Sequence, residues 1–240
     1  MNSRLTINVV GGSASTAYAL PDPETAWPGL IRRELGAEIR HKTQGGLTMV
    51  RSLDLIDSLP PADVLILHLG TSVAWPNPVI KLGVHLGMDL HNETAFHQPP
   101  HPYSGRLLVR AEKMVKLRIR NLIKYLLFLI GAYRPKISIR EIEDQVRAVL
   151  AISSKRAARV IWIQHRSLQT MRLVIERNIY DRYYRKLVRA VHVNIPDGVE
   201  FLELSSDFLV PQNYLDDGVH LSEAGHREIA LMVRNRLRLG

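Results

Sequence analysis

The chain contains no cysteine, which excludes disulfide bonds and thiolate metal sites and fits a reducing compartment. No run reaches the roughly 18 apolar residues that a membrane-spanning helix requires. The opening MNSRLTINVVGG has one arginine and only a short apolar run before its glycines. It does not read as a secretory leader, so the expected location is cytoplasmic. Acid is scarce in one segment: between Ser104 and Arg140 there are ten basic residues and a single acid, Glu112. That excess of nine equals the formal charge of the whole chain, +9. The remainder is close to neutral, and any electrostatic partner should meet this one segment. The segment has few aromatics and no recognised nucleic-acid module, so nucleic acid is not expected.

What is present is an alternation of short apolar runs with longer periodic stretches. Leu5 to Val10, Ala37 to His41, Ala62 to Leu69, Arg159 to His165 and Val199 to Leu204 are short and rich in strand formers. Between and after them, Glu24 to Leu35, Thr48 to Leu59, Ile139 to Ala158, Leu168 to Val191 and Ser222 to Leu237 have helical periodicity. Strands alternating with helices predict βαβ units and a mainly parallel sheet covered on both faces. The unbroken run VLILHLG fits a central strand buried on both sides. A chain of 240 residues can bury one substantial core, and one domain carrying an insertion is expected.

In such sheets ligands collect beyond the carboxyl ends of the strands. Gly11-Gly12-Ser13 follows the first predicted strand and Gly70-Thr71-Ser72 the third, so both face one end of the sheet. A glycine pair lets the chain turn and another group approach the backbone. That suits a nucleophile or a phosphate. Near the other terminus, Asp217 and His220 flank a glycine just before a helix that Ser222 can cap, with Glu223 in its first turn. A carboxylate on the same turn as an imidazole fixes its tautomer and stabilises its protonated form, as a serine's general base needs. Taken alone, a D-x-x-H spacing arises often by chance.

The order of the pieces is more specific. Strand-G-x-S near the start, TQGGLT after the second strand, HLGTS after the third and DGVHLSEAGH before the last helix resemble the four blocks of the SGNH (GDSL-type) hydrolases. The resemblance covers most of the chain apart from residues 80–137. TAWPGLIRREL is similar to the family's first helix, with Pro28 near its opening turn. It implies a three-layer α/β/α sandwich around a mainly parallel, flavodoxin-like, five-stranded sheet. It also implies Ser13 as nucleophile, His220 as general base and Asp217 as its orienting acid. Gly46, or Gly45 if the register slips by one, matches the backbone oxyanion donor, with the Ser13 amide as another. The implied activity is an esterase that removes an O-acyl group from a carbohydrate or another small metabolite, without a cofactor. An acyltransferase using the same serine, or a catalytically weakened binding protein recruited by its basic helix, are the alternatives.

Two positions depart from the family pattern. The acid before the nucleophile is replaced by Gly12, and the block usually read G-x-N-D is Gly70-Thr71-Ser72-Val73. Ser72 has a shorter reach than asparagine, and losing one oxyanion donor typically costs about 100- to 1000-fold in rate. Asn77 is a second candidate for that donor.

Within the insertion, Leu108, Ala111, Val115, Ile119, Leu122, Leu126 and Leu129 follow steps of three or four. Arg106, Arg110, Lys113, Lys116, Arg120 and Lys124 form a matching basic stripe. The expected arrangement packs the apolar stripe on the domain or a partner subunit with the lysines in water. The second reading is a lid or surface helix, peripheral to a membrane, that meets anionic headgroups or an acidic glycan. Upstream, His85, His91, His97 and His101 lie among prolines. Their spacing matches no familiar metal motif, so a loop is expected and no metal site is assigned. His68 is expected to be a hydrogen-bonded core residue and His226 to lie on a helix surface.

Overall fold

The computed structural model describes residues 4–17, 20–69, 76–78, 115, 118–119, 122–135, 137–166, 174–215 and 220–238. Five parallel strands form the central sheet: β1 (Thr6–Gly11), β2 (Glu38–Thr43), β3 (Ala62–His68), β6 (Ala157–Gln164) and β7 (Val199–Glu203), in the order β2-β1-β3-β6-β7. A second ribbon pairs β4 (Pro76–Pro78) with β5 (Tyr133–Pro135), antiparallel, with Asn77 opposite Arg134. The ribbon brings together the two ends of the sequence between Pro78 and Tyr133.

Among the described residues five helices cover the sheet: α1 (Trp27–Leu35), α2 (Met49–Asp57), α3 (Ile139–Arg156), α4 (Val174–Asn194) and α5 (Glu223–Arg238). The side-chain alternation of the inner strands explains why they read as continuous apolar runs. Val64 and Ile66 of β3 pack with Trp27, Ile31, Ile229 and Val233 of α1 and α5. Leu65 and Leu67 point the other way, toward Met49, Ile56, Val146 and Leu187 of α2, α3 and α4. Each such buried side chain stabilises the fold by about 1.5–3 kcal/mol. Edge strand β2 has only exposed and half-buried positions, as its polar sequence demands.

The first helix starts later than its periodicity suggests. Asp22 accepts from the Glu24 amide and caps a 3₁₀ turn at Pro23–Thr25, and α1 begins only at Trp27 with Pro28 in its first turn. Thr48 caps α2, and Ser138 with Glu141 forms a reciprocal capping box at α3. Among the described residues no helix is long and apolar enough to cross a membrane.

The helical residues 122–129 are oriented opposite to expectation. Leu122, Leu126 and Leu129 are 58%, 52% and 60% exposed, whereas Lys124, assigned to the wet stripe, is buried. Its Nζ lies 2.9 Å from Glu176 Oε1 of α4. Leu127 and Ala132 pack beside it with Ile123 and Phe128. Periodicity identified two faces, but which face the protein covers was decided by a carboxylate on another helix. Leu108, Ala111 and the basic positions before Val115 lie outside the described residues, as does the cluster His85, His91, His97 and His101.

Candidate active site

The carboxyl ends of the strands converge because their registers do. Gly11 stands beside Thr43 of β2 and His68 of β3, and His68 stands beside Ile163 of β6. Ser13 opens a 3₁₀ turn, Ser13–Ser15, directly beyond β1. The turn is tied down from both sides. The Gly12 amide donates to the His68 carbonyl at 3.1 Å, and the amide and hydroxyl of Thr16 donate to the Ser13 carbonyl at 3.1 and 2.7 Å. Ser13 itself remains half-buried.

The turn after β2 sits alongside, since the Gln44 amide donates to the Gly11 carbonyl at 3.1 Å. Gly45 and Gly46 are exposed there, and Gly46 has φ 65°, a left-handed value that glycine adopts without penalty. Gly12, by contrast, has φ −79° and ψ −163°, and a Cβ there would meet nothing within 4 Å. The demand for glycine falls on Gly11, where a Cβ would lie 2.2 Å from Ser15 Oγ.

His220 is buried just ahead of α5, next to the antiparallel bridge that pairs Tyr214 with Leu221. Its carbonyl accepts from the Leu215 amide at 2.8 Å. Ser222 begins α5 as expected, its hydroxyl accepting from the Gly225 amide at 3.2 Å. Gly225 lets this loop close on the helix, because a Cβ there would lie 2.1 Å from the Asn213 carbonyl oxygen. Asp217 and Ser72 lie outside the described residues, and Asn77 is held in β4.

Beneath the Ser13 turn is a feature that motif reading did not assemble. Ser15 Oγ lies 3.0 Å from His68 Nδ1, and His68 Nε2 lies 2.7 Å from His165 Nδ1. His68 is thus the hydrogen-bonded core histidine expected. His165 and Ser15 had no assigned role. The available signal was that β3 and β6 both run into a histidine at their carboxyl ends, where polar residues are costly unless paired. His226 corrects an expectation: it is buried rather than on the helix surface, and its Nδ1 accepts from the Trp27 amide at 3.2 Å. An amide at the start of α1 has no partner within its own helix, and α5 supplies one.

The three buried imidazoles His68, His165 and His226 are all held toward their neutral form. Burial pushes His165 down to about 4, with the nearby His220 and His226 opposing its protonation further. Burial likewise lowers His226 to about 4. His68 is held well below the ordinary histidine value by burial, then by His165 and His226. Among the described residues no group of three histidine, aspartate or glutamate side chains is arranged to hold a metal ion.

No protein-family model matches the sequence, and no curated protein matches it. Solved structures do. The acetyl xylan esterase AlAXEase is 14% identical with a TM-score of 0.58, the match covering 97% of this chain and 99% of that one. A protein from Slackia heliotrinireducens described as an SGNH hydrolase is 12% identical with a TM-score of 0.54, over 96% and 97% of the two chains. The salicylyl-acyltransferase SsfX3, from a tetracycline biosynthetic pathway, is 14% identical with a TM-score of 0.52, over 100% of this chain and 56% of that one. The fold is therefore that of the SGNH hydrolases, a five-stranded parallel sheet between helical layers.

Proposed function

We propose that this SGNH-type fold works as a serine esterase that removes an O-acyl group from a carbohydrate or another small metabolite. Ser13 is the nucleophile, His220 the general base and Asp217 the acid that orients it. The supporting observation is the placement of both ends of the chain at one rim of the sheet. Ser13 heads the turn beyond β1, and His220 is buried next to the Tyr214–Leu221 bridge, whose Tyr214 hydroxyl donates to the Arg166 carbonyl just beyond β6 at 2.5 Å.

In the first step Ser13 Oγ attacks the ester carbonyl carbon while its proton passes to His220. The oxyanion is met by backbone amides of Ser13 and of Gly46 or Gly45, with Ser72 or Asn77 as the side-chain donor. Collapse of the intermediate expels the alcohol, which takes the proton from the imidazole and leaves an acyl-serine. Water, deprotonated by His220, then releases the carboxylic acid. Each group has a role that its chemistry permits without a cofactor.

The likeness to an acyltransferase supports one further reading, in which an alcohol replaces water in the second step. Hydrolysis of a short-chain aryl ester by the native protein and by Ser13→Ala tests the proposal. Loss of turnover in the variant, with an acyl adduct on the Ser13 peptide by mass spectrometry, is the expected result. Turnover unchanged in Ser13→Ala sinks it. Acyl transfer to added alcohols in preference to water selects the transferase reading.

A further inference from the structure

Three polar side chains lie under the Ser13 turn where an apolar core would pack as well: Ser15, His68 and His165 are 3%, 3% and 2% exposed. Burying such groups is costly, and their contacts with one another only offset that cost. They hold a specific geometry. His68 grips the turn twice, through its carbonyl on the Gly12 amide at 3.1 Å and through Nδ1 on Ser15 Oγ at 3.0 Å. Its other ring nitrogen is fixed by His165 Nδ1 at 2.7 Å. Trp27 and His165 box the ring, with centroids at 6.1 and 4.8 Å and interplanar angles of 55° and 74°. Gly11 keeps the space that Ser15 Oγ occupies.

We propose that Ser15, His68 and His165 are a chain of positioning residues that sets the Ser13 turn relative to His220 across strands β1, β3 and β6. The proposal rests on the esterase reading above and deepens it. Each neutral imidazole carries one proton, so the chain runs in one of two directions. Either Ser15 donates to His68 Nδ1 and His68 Nε2–H donates to His165 Nδ1, or both bonds reverse. In both, the two contacts use both nitrogens of His68, and the ring can neither flip nor slide without breaking one. His165 follows β6, and the carbonyl of the next residue, Arg166, accepts at 2.5 Å from the hydroxyl of Tyr214, whose bridge to Leu221 stands beside His220. The nucleophile turn and the base loop are thereby referenced to one buried pair of rings. Loosening such a reference by about 1 Å can cost on the order of 100-fold in rate.

The geometry prescribes its own controls. An asparagine amide can stand in for Nδ1, so His165→Asn keeps the bond to His68 and His165→Leu removes it. Ser15→Ala removes the first link. For aryl ester hydrolysis by variants whose circular dichroism and melting match the native protein, Ser15→Ala and His165→Leu are expected to lower kcat about 10- to 100-fold. KM is expected to change less than about twofold, and His165→Asn to restore most of kcat. Native kcat in His165→Leu, or a loss confined to KM, overturns the proposal.

A second measurement does not depend on activity. In long-range ¹H–¹⁵N spectra of the histidine rings, Ser15→Ala is expected to shift the signals of His68, His165 and His220 together. Shifts confined to His68 overturn the proposal even if no ester is cleaved. Absence of Ser13-dependent turnover in the native protein, with coupled ring shifts intact, defeats the esterase reading instead.

Discussion

Lys124 Nζ and Glu176 Oε1 lie 2.9 Å apart with side chains only 6% and 4% exposed, joining the helical residues 122–129 to α4 across 52 residues of sequence. Desolvating two charges offsets much of their attraction, so such a pair adds little net stability over an apolar isostere. Removing one partner is different. Lys124→Met or Glu176→Leu alone should cost about 3–5 kcal/mol, and the double variant markedly less than the two together. Chemical denaturation of the three variants measures this, and additive losses would contradict a coupled pair.

The outward orientation of residues 122–129 can be tested by unequal tolerance. Leu122→Gln and Leu126→Gln, at more than half-exposed sites, should change unfolding free energy by no more than about 0.5 kcal/mol. Leu127→Ala, one position away and 4% exposed, should cost about 2–5 kcal/mol. If the glutamine variants are the unstable ones, the helix is turned the other way.

The buried histidines make stability depend on pH with a definite sign. His165 and His226 are lowered to about 4 from 6.5, so between those values the unfolded chain binds more protons than the folded one. Their contribution is fully present above about pH 6.5 and is lost as pH falls toward 4, on the order of 3 kcal/mol for each. Melting temperature should therefore drop steadily from pH 7 to pH 4.5. His226→Leu should start lower, by about 1–3 kcal/mol for the orphaned Trp27 amide, and show a shallower drop. A melting temperature that rises on acidification is the contrary outcome.

The two glycines before Ser13 should respond oppositely. Gly11→Ala places a methyl group 2.2 Å from Ser15 Oγ, and a cost of about 1–3 kcal/mol is expected from overpacking. Gly12→Ala meets open space at an ordinary φ of −79°, and should be neutral or raise stability by about 0.4–1 kcal/mol. Thermal melts of both variants decide, and equal losses would show that the turn needs both glycines.

Much of the architecture was legible because its signals are local. The five strand runs and the start of α3 at Ile139 lie within a few residues of where periodicity puts them. The site was legible in part. Ser13 and His220 stand out by motif, but Ser15, His165 and the inward-facing His226 carry none. Trp27 and His226 are 199 residues apart, and nothing near either announces the bond between them.

Side-chain period and chain order by themselves determined the layers of this protein, because apolar residues two or three to four positions apart must share a buried face. The tertiary structure alone decided which groups meet. Lys124 turns inward because α4 brings Glu176 to it, and His68 finds His165 because parallel strands β3 and β6 pair. Those pairs form between residues far apart in the chain, where local periodicity exerts no constraint.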